Sequence, residues 1–165
     1  MKKGTIMKEL RVDHCTEATE QLLSELELIE QRTMKNPWSA QSLKECFDKS
    51  YKMLVLFYGD QVAGFAVIYN TKVTTDLLTI AVDPQYQGQG FGRFLLKKTL
   101  HEAVKGGADE CFLEVRESNI RAQNLYKSMG FQIVGIRKNY YEATGNTKAE
   151  NAFTMSVSEL NKCKF

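Results

Sequence analysis

With 165 residues, 43% hydrophobic and 25% charged, the chain has the size and composition of one soluble domain with its own core. Its formal net charge of +2 and scattered basic residues argue against a nucleic-acid surface, and no apolar run approaches the length of a membrane span. The first residues carry two lysines but no apolar stretch, so no secretory signal is expected and the cytoplasm is the expected compartment.

Apolar residues Leu22, Leu23, Leu26 and Ile29 recur at helical spacing within Thr16–Arg32 and predict an amphipathic helix. The NPWS break interrupts it, and Ser39 is placed to cap a second helix running to about Lys49. Two β-rich runs, KMLVLFY and QVAGFAVIY, joined at Gly59-Asp60, predict a hairpin, and Thr75–Val82 predicts a third strand. A helix follows over GFGRFLLKKTLHEAVKGG, with Leu95, Leu96, Leu100, Ala103 and Val104 apolar and Gly106-Gly107 at its end. Glu110–Val115 reads as a strand, and SNIRAQNLYKSMG as a short helix capped by Ser118 or Asn119. FQIVGIR and NAFTMSVS are two further strands.

Strand, glycine loop, helix and strand in that order make a βαβ unit. Its strands, ending near Val82 and Val115, are expected to be parallel neighbours with a right-handed crossover. Ligands bind outside the carboxyl ends of such strands, which brings the glycine loop and EVRESN to one site. Glycines at 88, 90 and 92 open a helix whose N-terminal N–H groups favour an anion, most often a phosphate. The spacing lacks the lysine of a Walker A loop and is one residue short of G-x-G-x-x-G, so neither familiar nucleotide loop fits. On spacing alone, a flexible loop with packing glycines stays open beside the phosphate cradle.

The four cysteines, Cys15, Cys46, Cys111 and Cys163, show no CxxC spacing and read as free thiols. His14 and His101 lie far apart without a cluster of ligand types, so no metal is expected.

Gln87-Gly-Gln-Gly-Phe-Gly92 resembles the Q/R-x-x-G-x-G/A signature of the GCN5-related N-acetyltransferase (GNAT) superfamily. NPWS, IAVDPQYQGQGFGR, LEVRESNIRAQNLYKSMGF, RKNYY and ENAFTM follow in the order seen in its RimI-type branch. The resemblance covers roughly residues 8–158 as a single domain, leaving 1–7 and 159–165 as terminal extensions. It implies an α/β fold: a mixed, twisted sheet of six to seven strands flanked by helices, around a central βαβ coenzyme A-binding unit. It further implies acetyl-coenzyme A as cosubstrate and the N-terminal alanine of a small-subunit ribosomal protein as acceptor. That branch often has QRRG where this chain has QGQG, so two basic side chains beside the phosphates are missing at Gly88 and Gln89. Arg93, Lys97 and Lys98 are the nearest replacements.

The cofactor residues implied are Gln87, Gly88, Gln89, Gly90, Phe91, Gly92 and Arg93 at the pyrophosphate, with Asn119 on the pantetheine arm. The backbone of Ile80, Ala81 and Val82 would pair with that arm like an added strand, the Val82 N–H facing the oxyanion. Glu114 is the implied base; apolar Phe112 on its strand face would raise its pKa. Tyr126, seven residues after Asn119 and so on the same helix face, is the implied acid and a further cofactor contact. Pro37, Trp38, Tyr140 and Tyr141 are candidates for an aromatic acceptor groove.

By residue type alone the plainer readings stand beside these. Glu114 is then a solvated strand carboxylate, Tyr126 a core tyrosine, Asn119 an N-cap and Trp38 packing. Cys111, on the strand face opposite Glu114, reads as a buried small hydrophobe rather than an acyl carrier. The alternatives to a protein N-terminus as acceptor are a small amine or a lysine side chain, and, in another class, a non-catalytic acyl-coenzyme A-binding module. Nucleic-acid binding and membrane association are not expected.

Overall fold

The computed structural model describes residues 8–145, 147–163 and 165; the expected extension at 1–7 lies outside the described residues. The chain forms β1 (Leu10–Cys15), α1 (Glu20–Thr33), α2 (Ala40–Glu45), β2 (Tyr51–Tyr58), β3 (Gln61–Asn70), β4 (Thr74–Val82), α3 (Phe91–Lys105), β5 (Glu110–Arg116), α4 (Ile120–Ser128), β6 (Gln132–Tyr141) and β7 (Glu150–Ser158). Short 3-10 turns lie at Pro84–Tyr86 and Leu160–Lys162.

Local chemistry sets the element ends. The Thr19 hydroxyl accepts the Leu22 N–H at 3.2 Å, so α1 starts at Glu20 rather than at Thr16. Ser39 caps α2 as expected, accepting the Ser42 N–H at 3.1 Å. That helix stops at Glu45 instead of running to Lys49, because the chain tightens into i→i−3 turns at Phe47 and Asp48. The Asp48 carboxylate then accepts the Ser50 N–H at 3.0 Å and turns the chain into β2. Strand β1 was not among the expected elements.

The strands order as β1-β2-β3-β4-β5-β7-β6 in one sheet. All neighbours are antiparallel except β4 and β5, the parallel pair of the βαβ unit. Helices cover both faces. Leu26, Ile29 and Leu43 of α1 and α2 pack with Met53, Val55, Phe65 and Val67 on one side. Leu95, Leu96 and Leu100 of α3 pack with Ala66, Ile68, Cys111, Leu113 and Met155 on the other, where Leu160 also docks. Each of Leu26, Leu43, Leu95, Leu96 and Leu100, with no exposed surface, contributes about 1.5–3 kcal/mol of transfer free energy.

One irregularity positions the site. The parallel ladder joins Thr74–Leu77 to Glu110–Leu113 and stops there. Thr79 pairs with Val67 and Leu77 with Ile68, so Leu78 is an extra residue, a bulge on β4. A bulge bends and twists its strand. Beyond it β4 follows β3 while β5 follows β7, and the sheet parts at the carboxyl ends of the two central strands.

Gly64 on β3 stands opposite Val82, where a Cβ would lie 2.5 Å from the Ala81 carbonyl oxygen and 3.1 Å from the Val82 Cα. Neither neighbour is a side-chain tip that can swing away. Gly64→Ala should therefore destabilise the fold by about 1–3 kcal/mol. In a calorimetric scan that corresponds to a Tm lowered by roughly 3–10 °C. An unchanged Tm would show that β4 gives way freely at this point.

Candidate active site

The loop between β4 and α3 is tied down at both ends. Tyr86 and Phe91 stack with centroids 5.5 Å apart and rings 7° from parallel, and both meet Tyr58 edge-on. The Phe91 side chain is thus core, and the side chain of Gln89 turns back to donate to the Gln85 carbonyl at 3.0 Å. Gly88 and Gly90 have φ of +77° and +85°, and a Cβ at either would touch nothing within 4 Å. Backbone conformation rather than crowding calls for glycine at these two positions. Gly90 is the N-cap of α3 and offers no side-chain bond, so the first-turn N–H groups are left for a ligand.

A cavity of about 500 Å³ opens against this loop. Its walls include Ile80, Ala81, Val82, Gln87, Gly88, Gly90, Gly92 and Arg93 from the βαβ unit, and Asn119 and Tyr126 from α4 and its cap. Gln87 donates to the Val82 carbonyl at 2.9 Å and accepts from the Arg121 guanidinium at 2.7 Å. Arg121 also lines the cavity. It supplies a cation outside the expected cofactor residues, and its proximity to the loop follows only from the packing of α4 beside α3. Arg93 is on the wall too, donating to Ser128 Oγ at 2.8 Å, whereas Lys97 and Lys98 are not part of it. The Asn119 side chain caps α4, accepting the Ala122 N–H at 3.1 Å, and at the same time faces the cavity.

Strand alternation fixes the direction of the backbone groups. The Asp83 N–H donates to the Ala63 carbonyl at 2.9 Å, so the adjacent Gly64–Val82 pair is a non-hydrogen-bonded one. The N–H and C=O of Val82 consequently point away from β3, toward the parted edge, where the carbonyl meets Gln87. Ile80 has the same orientation, two residues back. An open strand edge of this kind is a template for an extended ligand.

The gap in the sheet holds a second cavity of about 200 Å³, which shares Ile80, Asn119 and Tyr126 with the first. Glu114 and Tyr126 both line it, although they belong to opposite sides of the sheet. Tyr126 packs with Cys111, Leu113 and Val115 in the α3-side core, whereas Glu114 alternates with those residues and leaves from the other face. They meet only because β4 and β5 separate. Trp38 and Tyr141 line the same cavity; Pro37 and Tyr140 are exposed and lie off it.

Phe112 shares a face with Glu114, yet the contact made by the carboxylate is an ion pair with Arg137 of β6 at 3.0 Å. Arg137 in turn lies over the Tyr140 ring, 4.1 Å from its centroid. The charge of Glu114 is felt nearby: burial first, and Glu114 second, push the Asp76 carboxyl above its ordinary range. Tyr126 is 7% exposed, and its hydroxyl has no hydrogen-bond partner among the described residues. Burial first, then the neighbouring Tyr141 and Cys111, raise its pKa well above that of a free phenol. Burial likewise pushes Tyr141 up to about 12, against the opposing pull of the Arg116 guanidinium 3.8 Å from its ring centroid. Cys111 has no exposed surface, and burial pushes its thiol up to about 12, which suits a packing residue and not a nucleophile.

A mixed sheet parted between its two parallel strands, with a glycine loop and an uncapped helix at the parting, is the architecture of acyl-coenzyme A-dependent acetyl transfer. The chain belongs to the acetyltransferase (GNAT) family, which it matches over residues 16–131. It is 41% identical over 128 residues to the ribosomal protein bS18-alanine N-acetyltransferase of Haemophilus influenzae, a match spanning 78% of this chain and 86% of that one. The enzyme of the same description from Escherichia coli K12 is 39% identical over 129 residues, with the same shares covered. The crystal structure of the ribosomal-protein alanine N-acetyltransferase from Escherichia coli superposes with a TM-score of 0.81 at 33% identity, covering 92% of this chain and 94% of that one.

The donor in this family is acetyl-coenzyme A, and the residues present fit it. Left-handed glycines with open space beside them, uncapped N–H groups of α3 and the free edge of β4 all face one cavity with two arginines on its wall. When bound, the donor supplies an acetyl thioester.

Proposed function

We propose that the protein transfers acetyl to the N-terminal α-amino group of a protein, the N-terminal alanine of a small-subunit ribosomal protein being its acceptor. The observation that carries the reading is the meeting of Glu114 and Tyr126 in one cleft that adjoins the glycine-loop cavity. The closeness to ribosomal-protein alanine N-acetyltransferases supports the acceptor. The cytoplasm is the proposed compartment; among the described residues no helix is long and apolar enough to cross a membrane.

Each residue has a physical task. Glu114 takes a proton from the acceptor amine, which must be neutral to attack; an α-amino group has a pKa near 8 and loses its proton readily at neutral pH. The Val82 N–H, aimed at the parted edge, stabilises the oxyanion of the tetrahedral intermediate. Tyr126 donates its proton to the departing sulfur. Gln87, the glycines, Arg93 and Arg121 hold the pyrophosphate, and the outward backbone groups of Ile80 hold the pantetheine arm together with Asn119, while the Ala81 backbone groups are turned to Phe65 on β3 and only line the cavity. Trp38 and Tyr141 flank the acceptor.

The test is a panel of peptides with different N-termini, together with lysine peptides and small amines, incubated with acetyl-coenzyme A and read by mass spectrometry. Preference for the alanine N-terminus of the ribosomal protein is the expected result. Acetylation of small amines or lysine side chains alone would overturn the proposed acceptor, and acetylation of nothing, with coenzyme A still bound, would favour a binding module. Arg121→Ala should weaken acetyl-coenzyme A binding about tenfold, the loss of one charge-assisted hydrogen bond worth ~1.5 kcal/mol. Titration calorimetry measures this directly, and unchanged affinity would remove Arg121 from the phosphate site.

A further inference from the structure

Glu30 lies in the last turn of α1 and is 1% exposed. One carboxyl oxygen, Oε1, accepts the Trp38 N–H at 3.2 Å. The other, Oε2, is buried without a hydrogen-bond partner among the described residues. Its neighbour Glu27 accepts the Ala40 N–H at 3.3 Å, so α1 already anchors the start of α2 by a separate bond. Holding the loop before α2 needs one acceptor oxygen at Glu30, which a neutral glutamine would supply equally well. The second oxygen and the charge are not accounted for by the fold.

The surroundings narrow what they are for. Glu30 lines the same cleft as Glu114 and Tyr126. The cations around that cleft are engaged elsewhere: Arg137 with Glu114 at 3.0 Å, and Arg116 and Lys35 with Glu150 at 3.2 and 3.5 Å. Among the described residues Glu30 has no cationic partner. A buried carboxylate oxygen left unpaired costs several kcal/mol unless a donor with positive charge arrives. Burial already holds this carboxyl above its ordinary range, against the weaker opposing effect of the Trp38 N–H. An ammonium group brings both the donor and the charge.

We infer that Glu30 is the specificity-determining residue for the acceptor amine: Oε2 accepts a hydrogen bond from the incoming α-ammonium group, while Oε1 keeps the Trp38 loop in place. This rests on the proposed acceptor entering the cleft between Glu114 and Tyr126. It divides the work between two carboxylates in different settings. The buried one recognises the charged amine, and the partly exposed one at Arg137 removes its proton. It also gives the site a means of releasing product, since an acetylated terminus carries neither the charge nor the spare N–H groups.

The experiment compares two peptides by titration calorimetry without acetyl donor: one with a free N-terminal alanine, and the same sequence N-acetylated. The wild type should bind the free amine at least tenfold more tightly. Glu30→Gln keeps the acceptor for Trp38, so its Tm should not fall, but its preference should drop to within twofold. Glu30→Asp, which keeps the charge on a shorter arm, should retain part of the preference and guards against misreading a folding defect. A wild-type preference retained by Glu30→Gln would overturn the inference, as would a wild type that does not discriminate. Failure of the wild type to acetylate any peptide terminus is a different outcome, which would overturn the proposed acceptor.

Discussion

Replacing Glu114 by Gln should lower kcat by about 10²–10⁴-fold, the usual contribution of a general base. The KM for acetyl-coenzyme A should stay within about twofold, because Glu114 lines the gap in the sheet and is not on the wall of the glycine-loop cavity. Stability should change little. The carboxylate is a third exposed and its partner Arg137 about half exposed, so losing that ion pair costs no more than ~1 kcal/mol. The substitution is nearly isosteric, and a glutamine still accepts from Arg137. Steady-state kinetics at saturating donor, with a thermal scan of each protein, separate the two effects. Turnover within twofold of wild type would dismiss Glu114 as the base and leave Glu30 as the other carboxylate of the cleft.

Much of this site was open to reading in the linear chain because its determinants are local. Positive φ demands glycine, so the cradle between a strand and a helix announced itself at Gly88 and Gly90. Period-two alternation placed Glu114 opposite Cys111, Leu113 and Val115, and of the two cap candidates for α4, Ser118 and Asn119, it is Asn119 that caps it. What escaped depends on tertiary order. Leu10 and Val12 alternate with Arg11 and Asp13 as in a half-buried strand, but the run is short and β1 went unrecognised. Arg137 reaches Glu114 across β7, which lies between β5 and β6, a topology no local pattern encodes. The expected apolar setting for Glu114 was therefore incomplete. Glu30 looks like one more charge on the polar face of α1 until the loop carrying Trp38 folds over it. The bulge at Leu78, which parts the sheet and lets residues from its two faces meet, has no distinctive residue type at all.

Tyr126→Phe should lower kcat on the order of 10–100-fold, the low end for a general acid. The low end applies because a thiol with a pKa near 8.5 is already a fair leaving group. Removing the hydroxyl should leave Tm unchanged or slightly raised: with no hydrogen-bond partner among the described residues, its loss orphans no other group, and the ring keeps its tilted contact with Phe131 at 5.8 Å. Loss of turnover without loss of stability is the signature that separates an acid from a packing tyrosine. The pH dependence adds a second check. Burial raises the pKa of this phenol, so its folded value lies above that of a free tyrosine, near 10, and the proton stays on throughout the working range. Any alkaline fall in wild-type kcat below about pH 10 must then come from another group, and Tyr126→Phe should show the same fall at reduced amplitude. If the variant turns over like wild type, the departing sulfur takes its proton from elsewhere, and Tyr126 is only a wall shared by the two cavities.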